Sequence, residues 1–449
     1  MHRTQYTYVY LTQMKPAGKV HPTVYVVFIS LLLDLLAFTM ILPLLPSLLD
    51  HYKENDNTGL YDWLSKQVKY FQVLVGAPER FNSVLFGGFL GSMFSFLQFL
   101  ASPIIGSISD VIGRKKVMIV CMIGISLSYV LWAISANLFI FVLARFLGGL
   151  SKGNVSISMA IIADVSPVST RGIGMALVGI AFSLGFIIGP MIGALFAVWA
   201  KQKTGQWFIA PALFALCLSI ADLLFFLIFF RESLPKEKRT KQFLASFRNA
   251  KVLLNVQDLF KFTAVTSIKE KDLKQLQRLG LIYFVYLFIY SGLEFTLTFL
   301  THHIFNYTSM QQGWMFFAIG LTMALIQGGY VRRIPAEKIK STAIMGLWII
   351  IPSFVSVGLA NGPTLLYLGL FLYAVSTAMV VPCLTTLASE YGSEQQKGKV
   401  LGIFRSLGAL ARAVGPVFAS IAFWSLGSKV TYLFGAVLLL WPVLALKKL

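Results

Sequence analysis

Long apolar runs alternate with short polar breaks along this chain, and the runs are longer than the elements of a soluble core. A helix needs about 20 residues to cross roughly 30 Å of hydrocarbon. Twelve segments reach that length: 24–49, 82–106, 116–136, 138–163, 172–198, 209–230, 279–303, 313–331, 342–360, 364–388, 400–424 and 429–446. A transmembrane barrel would show shorter strands of alternating polarity, so the pattern predicts helices. Two of the polar breaks are long. Within 50–80, Trp63, Leu64, Val68, Phe71 and Val75 recur at helical spacing and predict a short interfacial helix. Within 231–278, Phe243, Phe247, Leu254 and Phe260 fit either amphipathic helices lying on a membrane face or a solvated linker.

The expected fold is therefore an all-α membrane protein of twelve transmembrane helices. Its predicted parts are a polar N-terminus (1–23), a six-helix bundle (24–230), a linker (231–278) and a second six-helix bundle (279–449). No apolar run precedes Val24, so the first span itself is expected to serve as the targeting signal.

Composition strengthens this picture. The chain is 57% hydrophobic and 12% charged, with a mean hydropathy of +0.75, whereas soluble proteins carry about 25% charged residues. Its three cysteines, Cys121, Cys217 and Cys383, lie inside apolar runs and read as small buried hydrophobes. With five histidines and no Cys/His cluster in sequence, no metal or cofactor is expected. The net charge of +20 has a topological origin, since loops on the N-terminal side hold 27 of the 38 basic residues and opposite loops hold seven. This asymmetry places both termini in the cytoplasm, in the plasma membrane or an internal one, and leaves nothing for nucleic acid to explain.

The halves carry an internal repeat. Arg171-Gly172 opens the fifth span, and Lys397-Gly398 opens the eleventh, 226 residues later. The same offset carries Gly189-Pro190 onto Gly415-Pro416. Repeats of this kind are frequent in secondary transporters, with the substrate site between the halves near the midplane.

Chemistry concentrates in three motifs. The turn between the second and third spans holds Gly106, Asp110, Gly113, Arg114, Lys115 and Lys116. Its glycines permit a sharp turn, while Asp110 can pair with Arg114 or face a helix N-terminus across the half-interface. It is thus a candidate gate or a simple charged turn. The fourth span carries Arg145, Gly149 and Gly153 at four-residue spacing, and the fifth carries Gly185, Gly189, Pro190 and Gly193. Small residues at that spacing let helices pack closely, and Pro190 bends its span.

On these residues the chain resembles the major facilitator superfamily, whose turn signature is G-x-x-x-D-x-x-G-R-[RK]. Val111 stands where that family usually has a basic residue. Gly185 to Gly193 follow a pattern associated with antiporters, with Ala194 replacing its last glycine. The first span, with Asp34, Pro43 and Pro46, is similar to the tetracycline-efflux branch. The resemblance covers essentially every span and implies an organic-anion carrier driven by a proton gradient.

Away from the span ends, the topology buries the charged residues Asp34, Arg145, Lys152, Asp222, Glu294, Arg405 and Arg412. A lone charge facing lipid at the midplane costs at least about 2.5–3.5 kcal/mol, so positions facing an interior cavity are expected. Arg145 with Lys152, and Arg405 with Arg412, are each seven apart and share a helix face. With three acids against four bases the cavity is net positive, which suits a small organic anion gripped through Arg145, Lys152, Arg405 and Arg412, with Glu294 beside them.

Asp34 is the leading proton carrier, coupled to Arg145, with Glu294 as its competitor; Lys152 faces the cavity, snorkels or pairs with Asp34, and Asp222 is either functional or a structural partner. His302 and His303 end the seventh span as pH sensors or as a solvated pair. Tyr283, Tyr286, Tyr290, Phe295 and Phe299 are walls for an amphipathic ligand or ordinary packing residues. Asn306-Tyr307-Thr308 is an N-glycosylation sequon in an external loop, while Asn154-Val155-Ser156 lies inside a span.

The expected function is a proton-coupled antiporter of amphipathic organic anions that works by alternating access, as a monomer in the bilayer. The alternative is a transporter-like receptor or scaffold that binds without turnover. An enzyme is not expected, because the chain contains no P-loop, H-E-x-x-H or G-x-S-x-G.

Overall fold

The computed structural model describes residues 20–203, 207–239, 254–263, 265, 268–391 and 397–449. Phe243 and Phe247, two of the expected linker marks, lie outside the described residues. Among the described residues, eleven helical stretches are long and apolar enough to cross a membrane. The last of them, Val400–Lys447, is divided at Gly427 (φ 81°, ψ 166°), where the backbone leaves the helical region. The twelve-helix architecture follows from that division.

The first span begins as α1 (Pro22–Thr39), with Pro22 in the first turn and the His21 ring accepting from Thr23 N–H. Pro43 and Pro46 lack amide donors, so the span is not one helix to residue 49. It passes through a 3-10 turn at Leu42–Leu44 and resumes as α2 (Leu45–Asn55). The expected loop helix is present as α3 (Leu60–Val75), bounded by left-handed Gly59 and Gly76. Leu64 and Val68 turn inward, whereas Trp63 and Phe71 are exposed.

α4 (Asn82–Ile112) and α5 (Arg114–Ala133) are joined through Gly113 alone (φ 111°), where a Cβ would lie 2.6 Å from Glu232 Oε2. The fourth span is α6 (Leu138–Ser151), capped by Asn137 accepting from Ile140 N–H, and α7 (Asn154–Val165). α8 (Val168–Lys203) and α9 (Ile209–Phe229) complete the N-terminal half. A short α10 (Val256–Lys261) packs through Phe260 and Phe262 against Phe284 and Phe404, so this part of the linker belongs to the C-terminal half. α11 (Glu270–His303), α12 (Ser309–Gly329), α13 (Ile339–Leu359), α14 (Pro363–Ser389), α15 (Lys397–Leu438) and α16 (Leu440–Lys447) follow. Thr308 and Gln311 close a reciprocal capping box at the start of α12.

The halves meet along two seams, α4 on α15 and α8 on α12. Small residues bring the backbones together: a Cβ at Gly88 would lie 3.1 Å from Pro416 O, and one at Gly313 would lie 2.9 Å from Ala194 Cβ. Val417 N–H donates to Ser92 Oγ (3.0 Å) and Trp424 Nε1–H donates to Asn82 Oδ1 (2.9 Å). These contacts sit toward the face opposite the basic loops. The molecule is closed on that face.

Candidate functional site

The fourth span breaks where its charge lies. α6 ends at Ser151, Lys152 leaves helical geometry (φ −79°, ψ 35°), and α7 resumes at Asn154. The break puts Lys152 Nζ 2.8 Å and 2.7 Å from the two carboxylate oxygens of Asp34 in α1. Each residue is 3% exposed, so the pair is enclosed by protein.

Pairing of Lys152 with Asp34 is one of the alternatives the sequence leaves open, and Arg145 lies elsewhere in this structure. Phe38, one turn beyond Asp34, stacks on Phe94 at 5.3 Å, and the Arg145 guanidinium lies over Phe94 at 4.2 Å and near Phe38 at 6.0 Å. The Lys152 ammonium lies 4.7 Å from the Phe38 ring. Arg145 is held by cation–π contact with Phe94. Arg145 and Lys152 both approach Phe38 of α1, as a shared helix face predicts.

Asp222 in α9 lies within electrostatic range of both Asp34 and Lys152, beside Ser30 of α1. Asp222 Oδ1 and Ser30 Oγ are buried without a hydrogen-bond partner. A second group missed by the sequence reading is Trp132, whose buried indole N–H also lacks a partner. Trp132 lines a small cavity with Arg145, Ser128, Tyr129, Ile41 and Ala144. Only an aromatic near the end of a span marked it in the sequence.

In the C-terminal half, Glu294 accepts from Tyr290 OH at 2.9 Å. Tyr290 stacks on Tyr373 (5.1 Å) and Tyr286 (5.6 Å), and the buried Tyr286 OH, Tyr373 OH and Thr377 Oγ1 have no hydrogen-bond partner. Tyr283, Tyr286, Tyr290 and Phe299 are buried against protein, and Phe295 packs partly buried beside them. Arg412 acts electrostatically on Glu294 and Tyr283, and Arg405 on Tyr283. Both arginines are solvent-exposed, and the ion pairs among the described residues leave out Arg145, Arg405 and Arg412.

The charged turn is held by a network of ion pairs and hydrogen bonds. Arg114 pairs with Asp110 (2.6 Å) and Asp164 (2.9 Å) and donates to Ser109 Oγ (2.6 Å), which in turn donates to Gly106 O. Glu232, which the sequence reading did not single out, accepts from Arg114 N–H (2.9 Å) and Lys115 N–H (3.2 Å). Its carboxylate caps the N-terminus of α5, where negative charge is favoured. Lys115 Nζ donates to Leu227 O and Phe230 O at the end of α9. These partners belong to the N-terminal half and the start of the linker.

The glycines of the fifth span face α1. A Cβ at Gly185 would lie 2.6 Å from Leu35 Cβ, one at Gly189 would lie 2.9 Å from Leu36 O, and one at Gly193 would strike the Met40 backbone. Thr39 Oγ1 donates to Gly185 O at 2.7 Å across this contact. Pro190 lies inside α8 beside α12, its carbonyl 3.4 Å from a Cβ built at Gly313. Asn306 is exposed in the turn between α11 and α12 (φ 54°).

Paired helical halves with charged side chains enclosed between apolar spans define a multi-pass membrane transporter of the secondary-carrier type. The chain belongs to the Major Facilitator Superfamily, whose family pattern matches residues 27–416. It is a transporter and not an enzyme. Major facilitator superfamily domain-containing protein 10 of Mus musculus is 46% identical over 442 residues, covering 97% of this chain and 94% of that protein. The crystal structure of the human organic anion transporter MFSD10 (TETRAN) is 45% identical with a TM-score of 0.78, covering 96% of this chain and 100% of that one. Tetracycline resistance protein, class B, of Escherichia coli is 24% identical over 398 residues, covering 87% of this chain and 86% of that protein.

Proposed function

We propose that this protein is a proton-coupled antiporter of amphipathic organic anions. Two bundles, 24–230 and 279–449, rock about a central site, with the basic loops and both termini in the cytoplasm, and one chain suffices for transport. The observation that carries the reading is the charge distribution. Lys152 is consumed by Asp34 within the first bundle, whereas Arg145, Arg405 and Arg412 are outside the ion pairs of the described residues. Guanidinium groups without carboxylate partners suit a carboxylate, sulfate or phosphate on the substrate. The buried tyrosines beside Glu294 suit an apolar body. The likeness to a human organic anion transporter supports the same substrate class.

Asp34 carries the proton in this scheme. Lys152 occupies both oxygens of the Asp34 carboxylate, and separating the two frees those oxygens for a proton. Rocking that moves α1 against the α6–α7 break changes this separation. In the same orientation Asn306 faces outward and accepts a glycan. The test is counterflow in proteoliposomes with matched amphipathic anions and cations, with and without an imposed pH gradient. Anion exchange together with pH-driven accumulation is the expected result. Equal uptake of the cation defeats the substrate assignment, and transport indifferent to pH defeats the coupling.

A further inference from the structure

On the face opposite the basic loops, His302 and His303 end α11 and Asp50 projects from α2, so three side chains meet across the boundary between the halves. His302 Nε2 is 2.7 Å from Asp50 Oδ2, and His303 Nε2 is 2.8 Å from Ser83 Oγ of α4. One ligand atom from each of Asp50, His302 and His303 lies within 4.8 Å of the other two, and all three residues are half-buried. The two imidazoles sit edge to face at 4.9 Å, and Phe299 and Phe81 pack against His303. The carrier chemistry of the central site uses none of these groups.

We infer that Asp50, His302 and His303 form a binding site for a divalent transition-metal ion, with Zn2+ the best match. Two imidazole nitrogens and one carboxylate oxygen suit borderline cations such as zinc, whereas calcium and magnesium favour all-oxygen sets. Tetrahedral zinc holds nitrogen at about 2.0–2.1 Å, which sets its ligand atoms roughly 3.3 Å apart. Small side-chain rotations bring the three groups to that spacing, and solvent supplies the fourth ligand. The carbonyl end of α11 adds a favourable dipole for a cation.

The placement has a consequence for the transport cycle. Two ligands come from the C-terminal half and one from the N-terminal half, so the complete set exists only while this face is closed. An ion that binds one state alone stabilises that state by mass action. Zinc is therefore a clasp on this face, and the clasp slows transport whichever substrate is carried.

The direct test is calorimetric titration of the purified full-length chain with zinc chloride. One ion should bind per chain. His302→Gln, which keeps a hydrogen-bond donor for Asp50, and His303→Gln should each weaken binding about tenfold or more. His51→Gln, next to the cluster but outside it, should leave the affinity unchanged. For the clasp, Ser92→Cys places a thiol at the α4–α15 seam, to be labelled from this face with an impermeant reagent and compared with the chain's own cysteines. Zinc should slow that labelling, and His302→Gln should abolish the effect. No zinc binding by the wild type, or undiminished binding in the His302→Gln/His303→Gln double variant, overturns the site. Zinc that binds without slowing the label overturns the clasp.

Discussion

Asp34 and Lys152 form a buried ion pair whose energy depends on both members being present. Removing one partner of such a pair leaves an uncompensated charge and costs about 3–5 kcal/mol, while replacing both by apolar or neutral groups is often tolerated. Asp34→Asn should therefore lower the unfolding temperature of the detergent-solubilised protein, and Asp34→Asn/Lys152→Met should recover most of the loss. A double variant as unstable as the single would show that the pair is not a unit. The same Asp34→Asn change mimics a permanently protonated carboxyl. In proteoliposomes it should abolish pH-driven accumulation and spare equilibrium exchange, with Glu294→Gln doing less. Accumulation that survives Asp34→Asn and fails in Glu294→Gln moves the proton to Glu294, which accepts a hydrogen bond from Tyr290. Arg412 is exposed and outside the ion pairs, so its truncation costs little folding energy. Arg412→Ala should weaken anion binding by about 1.5–3 kcal/mol, the range for a hydrogen bond to a charged group, as read by ligand titration.

At the scale of elements, the α1–α8 contact is the most sensitive to added volume. Gly189 faces the Leu36 carbonyl and Thr39, so even one methyl group overpacks the helix pair, at a typical cost of about 1–3 kcal/mol. Gly179, about three turns toward the basic face on the same helix, has nothing within 4 Å of a Cβ. Gly179→Ala should be neutral or slightly stabilising, because alanine is the better helix former. Thermal unfolding of both variants checks the contrast, and equal shifts would mean that close approach is not what Gly189 provides. The glycine spacing was legible in the sequence because close packing repeats every four residues, and the spans were legible because lipid demands a long apolar run. The partner of Asp34 was legible only as one alternative, because which base reaches it is set by how α1 packs against α6 and by no local pattern. Glu232 was missed for a related reason: its chemistry arises only when a linker residue folds back onto Arg114 and Lys115, more than a hundred residues earlier. The seam bond from Trp424 to Asn82 joins residues 342 apart and leaves no local signal.

At the scale of the whole molecule, closure of one face and the charged turn on the other are two sides of one equilibrium. The Ser92–Val417, Asn82–Trp424 and Asp50–His302 contacts must break for the closed face to open. Something on the basic face must then offset their loss. Asp110 is placed for that role, since its carboxylate binds Arg114 at 2.6 Å while its side chain remains 44% exposed. Closure of the basic face brings the C-terminal half toward this turn, where a free carboxylate can accept from a helix N-terminus or a basic side chain. Asp110→Asn removes that charge, yet Arg114 keeps Asp164 and Ser109, so the fold of the turn is expected to survive. Loss of one charge-assisted hydrogen bond, about 1.5–3 kcal/mol, shifts a balanced two-state equilibrium roughly tenfold or more. The shift should favour the state open on the basic face. Gly402 in α15 has open space around it and suits a reporter thiol. Labelling of Gly402→Cys from the basic face should rise when Asp110→Asn is added. Unchanged labelling in correctly inserted protein would confine the turn to holding the N-terminal half together, and the force that closes the basic face would have to come from elsewhere.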